Sequence, residues 1–182
     1  MFNVTVFLSS GQNVDRKFFD LAREAGDAIA RQGWTLVYGG NAVGPMKSLA
    51  DGAREAGGKV VGITPQVFVD HGVADTRCDE LIVVKNMGER KHLLAQRADA
   101  FLTLPGGVGT LEEFIEILVA KQLAYHKKPI ALLDMGGVWA PMMEFFERGI
   151  ANRFVRETTR TDFARVDDVS AAIRYFNDSF TK

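Results

Sequence analysis

Short apolar runs alternate along the chain with longer stretches in which apolar residues recur every three or four positions. Asn3 to Leu8 carries Val4, Val6, Phe7 and Leu8 and runs into Ser9-Ser10-Gly11, which reads as a buried strand and its turn. Val14, Phe18, Leu21, Ala22, Ala25, Ala28 and Ile29 then fall at helical spacing, with Gly33 placed for a C-terminal cap. The same alternation continues. Strands are expected at Trp34–Tyr38, Lys59–Thr64, Leu81–Lys85, Ala100–Leu104 and Pro129–Leu133. Helices are expected from Pro45 to about Ala53, over Met87–Arg97, from Thr110 to about Tyr125, from about Val138 to Ile150, and near Val169–Phe176. Residues 66–80 mix polar and apolar positions without a period and predict no element.

Strands that are continuous apolar runs, separated by helices, predict a parallel sheet covered on both faces. Right-handed crossovers make that an α/β fold: one Rossmann-like, doubly wound sheet flanked by helices. Neither a linker, an internal repeat nor a low-complexity tract interrupts the pattern, so residues 1–182 are expected to form one domain. In such folds ligands bind beyond the carboxyl ends of the strands. The turns at Ser9-Ser10-Gly11, Gly39-Gly40-Asn41, Thr64-Pro65, Pro105-Gly106-Gly107 and Asp134-Met135-Gly136 all belong to that edge. As a set they suggest a nucleotide-sized groove.

Composition narrows the classes without choosing one. Apolar residues make up 47% of the 182 and charged residues 25%, as in an ordinary globular protein. A formal net charge of −1 gives no electrostatic reason to expect nucleic acid or a membrane as partner. Cys78 is the sole cysteine, which rules out an internal disulfide and a cysteine-based zinc site. No apolar stretch approaches the ~18–20 residues that span a bilayer, and the amino terminus lacks signal-peptide character. A cytoplasmic location is expected.

The stretch richest in chemistry is Leu104-Pro105-Gly106-Gly107-Val108-Gly109-Thr110-Leu111-Glu112-Glu113. A strand, a tight glycine turn and a helix start offer free backbone N–H groups to an anion, phosphate above all. It is not a Walker loop, because no lysine precedes Thr110. Nor is it a dinucleotide fingerprint, since Glu112 occupies the third glycine position and the loop follows the fifth strand. Thr110 to Glu113 also has the spacing of a capping box, with Thr110 as N-cap and Glu113 three residues on. On spacing alone that cap is the simpler role for Glu113. Arg90 and Lys91 follow the fourth strand on the same edge and are suited to holding a phosphate; a solvated helix start is the bland alternative, but cations there oppose the helix dipole, which favours function.

These two stretches together resemble a known family. Pro105–Glu113 is similar to the Pro-Gly-Gly-x-Gly-Thr-x-x-Glu signature of the LONELY GUY (LOG) family, also called lysine-decarboxylase-like, and Met87-Gly88-Glu89-Arg90-Lys91 resembles its Met-x-x-Arg-Lys element. Tyr38-Gly39-Gly40 and Gly44-Pro45-Met46 are similar to its Gly-Gly-Gly and Gly-Leu-Met region, and the likeness covers roughly residues 3–155. The resemblance implies a phosphoribohydrolase. Such an enzyme cleaves the N-glycosidic bond of a nucleoside 5′-monophosphate, AMP or a cytokinin riboside 5′-monophosphate, to free base and ribose 5-phosphate. It implies Arg90 and Glu113 as the catalytic pair and Gly107, Gly109 and Thr110 on the phosphate, with Lys91 supporting binding. Gly106, Val108, Gly39, Gly40 and Ser9 complete the expected substrate-binding set, and neither a metal nor an organic cofactor is implied.

The chain departs from the family pattern in several places. Asn41 stands for a glycine, Pro45 for a leucine and Gly88 for a histidine, Leu8-Ser9-Ser10-Gly11 replaces a common Cys-Gly-Ser turn, and Gln66–Glu80 matches no usual segment. The alternative is a non-catalytic nucleotide or molybdenum-cofactor carrier of the same superfamily. A lysine decarboxylase would need pyridoxal phosphate on a lysine, and no lysine is marked for it. Finally, Leu111–Tyr125 is apolar well beyond the ~100° stripe a sheet-covering helix needs, which suggests a homodimer packed through it.

Overall fold

A computed structural model describes residues 2–181. Its strands are β1 (Asn3–Phe7), β2 (Thr35–Tyr38), β3 (Val60–Pro65), β4 (Glu80–Val84), β5 (Ala100–Thr103), β6 (Ile130–Leu133) and β7 (Ala164–Val166). They form one sheet in the order β4-β3-β2-β1-β5-β6-β7, parallel throughout. The helices are α1 (Arg16–Arg31), α2 (Gly44–Glu55), α3 (Gln66–Asp70), α4 (Met87–Arg97), α5 (Val108–Gln122), α6 (Ala140–Ala151), α7 (Thr159–Asp162) and α8 (Val169–Phe180). The fold is the expected α/β class, a doubly wound parallel sheet between helical layers. Among the described residues no helix is long and apolar enough to cross a membrane.

Both faces of the sheet are buried, which explains the continuous apolar strands. Val4, Val6, Leu36, Tyr38, Ala100, Leu102, Ala131 and Leu133 point to one core, shared with α1, α2 and α8. Their alternates Phe7, Val37, Phe101, Ile130 and Leu132 point to the other, closed by α4, α5 and α6. A strand with apolar residues on both sides has only one stable home, the middle of such a sandwich.

The chain moves outward from β1 through β2 and β3 to β4, then returns to lay β5 on the other side of β1. The carboxyl ends of β1 and β5 are therefore followed by loops that diverge to opposite faces, which opens a crevice there. The Ser9-Ser10 turn borders it on one side and the glycine loop on the other.

The sheet has one strand more than the hydrophobic pattern predicts. β7 is three residues long, too short to display a period, and exists because Ala164, Arg165 and Val166 pair with Ala131, Leu132 and Leu133 of β6. α3 and α7 span five and four residues and escape a periodicity search for the same reason. The unreadable segment is held by polar contacts instead. Asp75, 1% exposed, accepts hydrogen bonds from Tyr38 Oη (3.0 Å) and Arg54 Nη2 (2.9 Å), and the Ala42 N–H donates to the Val73 carbonyl.

Candidate active site

A cavity of about 270 Å³ lies at the β1/β5 crevice, lined by both turns, Asn41, Phe68 and the starts of α4 and α5. Its floor is an ion pair. Asn86 caps α4, its side chain accepting from the Glu89 N–H, so Arg90 leaves the first turn pointing inward. The Arg90 guanidinium is spread over three partners: Nε donates to the Ile63 carbonyl (3.0 Å), Nη2 to the Gly39 carbonyl (3.0 Å), and Nη1 lies 3.4 Å from Glu113 Oε1. Arg90 is 4% and Glu113 8% exposed. Gly39 is required here because a Cβ would lie 1.8 Å from Arg90 Nη2.

Burial dominates the electrostatics of this pair. It pushes Glu113 from 4.5 up to about 7, against the pull of the Arg90 charge. Burial also lowers Arg90 from its ordinary value, with Glu113 opposing. A carboxyl poised near neutrality at the bottom of a cleft is a group that can exchange a proton there.

The glycine loop supplies the second wall. The N-cap of α5 is Gly107, in extended conformation, and the first helical hydrogen bond runs from the Leu111 N–H to the Gly107 carbonyl (3.0 Å). The N–H groups of Val108, Gly109 and Thr110 therefore lie ahead of the helix's own bonding, at the positive end of a 15-residue dipole. A Cβ at Gly107 or Gly109 would meet nothing within 4 Å. These glycines leave room beside the main chain. A Cβ on Gly106 would instead strike Thr110 Oγ1 at 2.2 Å, so that glycine serves packing of the turn. None of the three has positive φ.

The capping box is not formed. With Gly107 as N-cap, Thr110 sits in the first turn, no side chain caps the helix, and Glu113 falls one turn further along. Its carboxylate is turned to Arg90, so the direction of the side chain decides against the cap.

Comparison with known proteins places this geometry. A family model described as "Possible lysine decarboxylase" matches residues 46–176. A cytokinin riboside 5′-monophosphate phosphoribohydrolase of Rhodococcoides fascians is 40% identical over 177 residues, covering 94% of this chain and 87% of its own. An enzyme of the same name from Mycobacterium tuberculosis is 40% identical over 158 residues, covering 87% and 84%. The chain belongs to the LOG, or lysine-decarboxylase-like, family. Among solved structures it is similar to the molybdenum cofactor carrier protein of Chlamydomonas reinhardtii, with a TM-score of 0.74 at 26% identity over 100% of this chain and 99% of that one. The molybdenum cofactor binding protein of Rippkaea orientalis shares the fold, with a TM-score of 0.77 at 22% identity over 98% and 97%.

The LOG signature residues do not all face the cavity. Ser9, Arg90, Gly107, Gly109, Thr110 and Glu113 line it. Gly39 acts through its carbonyl on Arg90, and Gly40 takes the positive φ (70°) that the turn beside it needs. The Val108 side chain is 85% exposed, leaving only its N–H to the site. Lys91 is off the cavity lining. It is paired with Glu112 and, at 2.8 Å, with Glu116 on α5, and those hydrogen bonds raise its pKa. Its visible role is to tie α4 to α5. Seven lining residues went unforeseen as site residues: Leu8, Ser10 and Glu112 beside expected ones, and Asn41, Met46, Phe68 and Met87. Their signal was faint, a lone aromatic in an aperiodic segment and an asparagine in a glycine turn. Among the described residues no lysine lines the cavity, so a Schiff-base cofactor does not fit them.

Proposed function

We propose that the protein is a nucleoside 5′-monophosphate phosphoribohydrolase, acting on AMP or a cytokinin riboside 5′-monophosphate. The observation that carries this is the buried Arg90–Glu113 pair facing a free helix N-terminus across one small cavity. The phosphate takes the N–H groups of Val108, Gly109 and Thr110 and the Ser9 side of the cavity. That remote grip fixes the ribose over Glu113.

Cleavage of the glycosidic bond sends its electron pair to the base and develops positive charge on the sugar, which ionised Glu113 stabilises. Water then bonds to C1′ and its proton passes to Glu113; the departing base takes a proton from solvent and Glu113 returns one to solvent, so that water's hydroxyl ends on the sugar, a proton on the base, and Glu113 is ionised again. Arg90 keeps part of the Glu113 population ionised at pH 7 despite its burial. The names of the 40% identical relatives support the substrate class. The carrier reading draws on the fold of the solved neighbours, but a carrier needs no carboxyl tuned near neutrality.

Three further statements accompany the reading. Residues 1–182 act as one domain, because a single sheet runs through both cores. The cytoplasm is the compartment, as the home of nucleoside monophosphates. The protein is a homodimer packed through α5, where Val119 of the helix and Leu123 at its C-cap are 46% and 54% exposed although apolar. Light scattering at micromolar concentration tests the last, and a monomer refutes it. The activity is tested by incubating the protein with AMP and with its N6-isopentenyl analogue and following free base. Binding of both without release of either base refutes hydrolysis.

A further inference from the structure

The hydrolase reading assigns the charged side chains and the glycine loop of the cavity and leaves its apolar lining unassigned. That lining is Leu8, Met46, Phe68 and Met87, and the polar side chain of Asn41 joins it. Asn41 is 6% exposed and is held from three sides. Its backbone forms an antiparallel bridge with Ala74, the next residue's N–H donates to the Val73 carbonyl, and its Oδ1 accepts from Thr64 Oγ1 at 3.0 Å. Thr64 is fully buried, so its hydroxyl proton needs this acceptor, and that requirement sets which way the amide faces. With Oδ1 committed, Asn41 Nδ2 has no partner among the described residues, yet it is not closed off from solvent. What remains open to the cavity is therefore a donor.

Resting on the hydrolase reading, we propose that Asn41 reads the nucleobase. Its Nδ2 donates to an unprotonated ring nitrogen of a purine whose face lies on Phe68 and the two thioethers. An aromatic ring and polarizable sulfurs suit the flat surface of a base, and a fixed amide beside them suits its edge. A site built to make that bond rejects bases that lack the acceptor, because the buried donor is then unpaired. What Asn41 adds is a choice between bases that offer a ring acceptor at that place and bases that do not. Neither the glycine loop nor the Arg90–Glu113 pair makes that distinction, since both act on the sugar phosphate.

The test compares inhibition constants of 1-deaza-, 3-deaza- and 7-deaza-adenosine 5′-monophosphate in wild type and Asn41→Ala. Inhibition constants are used because removing a ring nitrogen also changes how readily the base leaves. The expected result is a pattern. Asn41→Ala weakens two of the analogues by about tenfold and leaves unchanged the one whose missing nitrogen was the acceptor. A loss shared equally by all three overturns the proposal, placing the amide on the sugar phosphate or in the fold, and so does no loss at all. Asn41→Asp, which keeps the Thr64 contact and removes the donors, should repeat the pattern if Asn41→Ala fails to fold. AMP that is neither bound nor cleaved by wild type would instead refute the hydrolase reading itself.

Discussion

Replacing Arg90 by glutamine is expected to raise the pKa of Glu113 and to slow base release mainly for that reason. The carboxyl already stands at about 7 rather than 4.5, which corresponds to roughly 3 kcal/mol against the ionised form. It would stand higher without the guanidinium 3.4 Å away. At an effective dielectric constant near 20 that attraction is ~5 kcal/mol, an upper figure, and carboxylates beside an arginine commonly show a pKa lowered by about 1–3. In Arg90→Gln the Glu113 midpoint should therefore move to about 8–10. The ionised fraction at pH 7 then falls from about one half to about one tenth or less. Arg90→Lys keeps the charge and should hold the midpoint near its wild-type position, even though the Ile63 and Gly39 carbonyls lose part of their donor set. The measurement is a pH titration by NMR of protein labelled at the glutamate δ-carbon, with Glu113 identified by its absence from Glu113→Gln. Ligand-free protein is used because a nucleotide phosphate titrates near pH ~6 and would obscure the limb. A wild-type Glu113 midpoint near 4.5, or one that does not move in Arg90→Gln, refutes the reasoning.

Other outcomes follow from the same geometry. Glu113→Gln should lower kcat by about 10²–10⁴ with nucleotide binding retained, measured as release of free base; an unchanged rate would remove Glu113 from the chemistry. The same variant has a sign to check in stability. The folded protein keeps its Glu113 proton between pH 4.5 and about 7 where the unfolded chain has lost it, so this contribution is full below 4.5 and is lost as pH rises through 7. Urea unfolding should accordingly show the stability of Glu113→Gln relative to wild type improving by roughly 3 kcal/mol from pH 4.5 to above 7. Gly39→Ala puts a methyl on the Arg90 head and should cost about 10²-fold in kcat/KM, since the guanidinium must shift by about an ångström or more. Gly107→Ala and Gly109→Ala meet no protein atom, so their melting temperatures should stay within a few degrees of wild type while KM rises about tenfold or more, because the methyl takes up space that the proposed phosphate site needs.

Much of this molecule was legible in its residues taken one after another. Strands buried on both faces must be apolar at nearly every position, and helices lying on them must repeat near 3.6, so the six longer strands, six longer helices and the α/β class could be read from pattern alone. The free N–H groups of the glycine loop were legible because they depend on local conformation alone, and the proposal of an anion site rests on them. The role of Glu113 was not. A capping box and a catalytic carboxyl share one spacing. Only the start of α5 at Val108, and the arrival of Arg90 from α4 across the sheet edge, turned the side chain into the cavity, where burial raised its pKa against the pull of Arg90. Lys91, adjacent to Arg90 in sequence, was sent the other way by the 100° step between neighbouring helix positions and meets Glu116 instead. Asn41 and Phe68 became neighbours because polar contacts around Asp75 fold an aperiodic segment back over the β2 turn. Sequence by itself determined what is decided by periodicity and by groups close along the chain. Which charges meet, and how far burial shifts them, depends on distances between elements and on exclusion of water, and these exist only once the sheet has assembled.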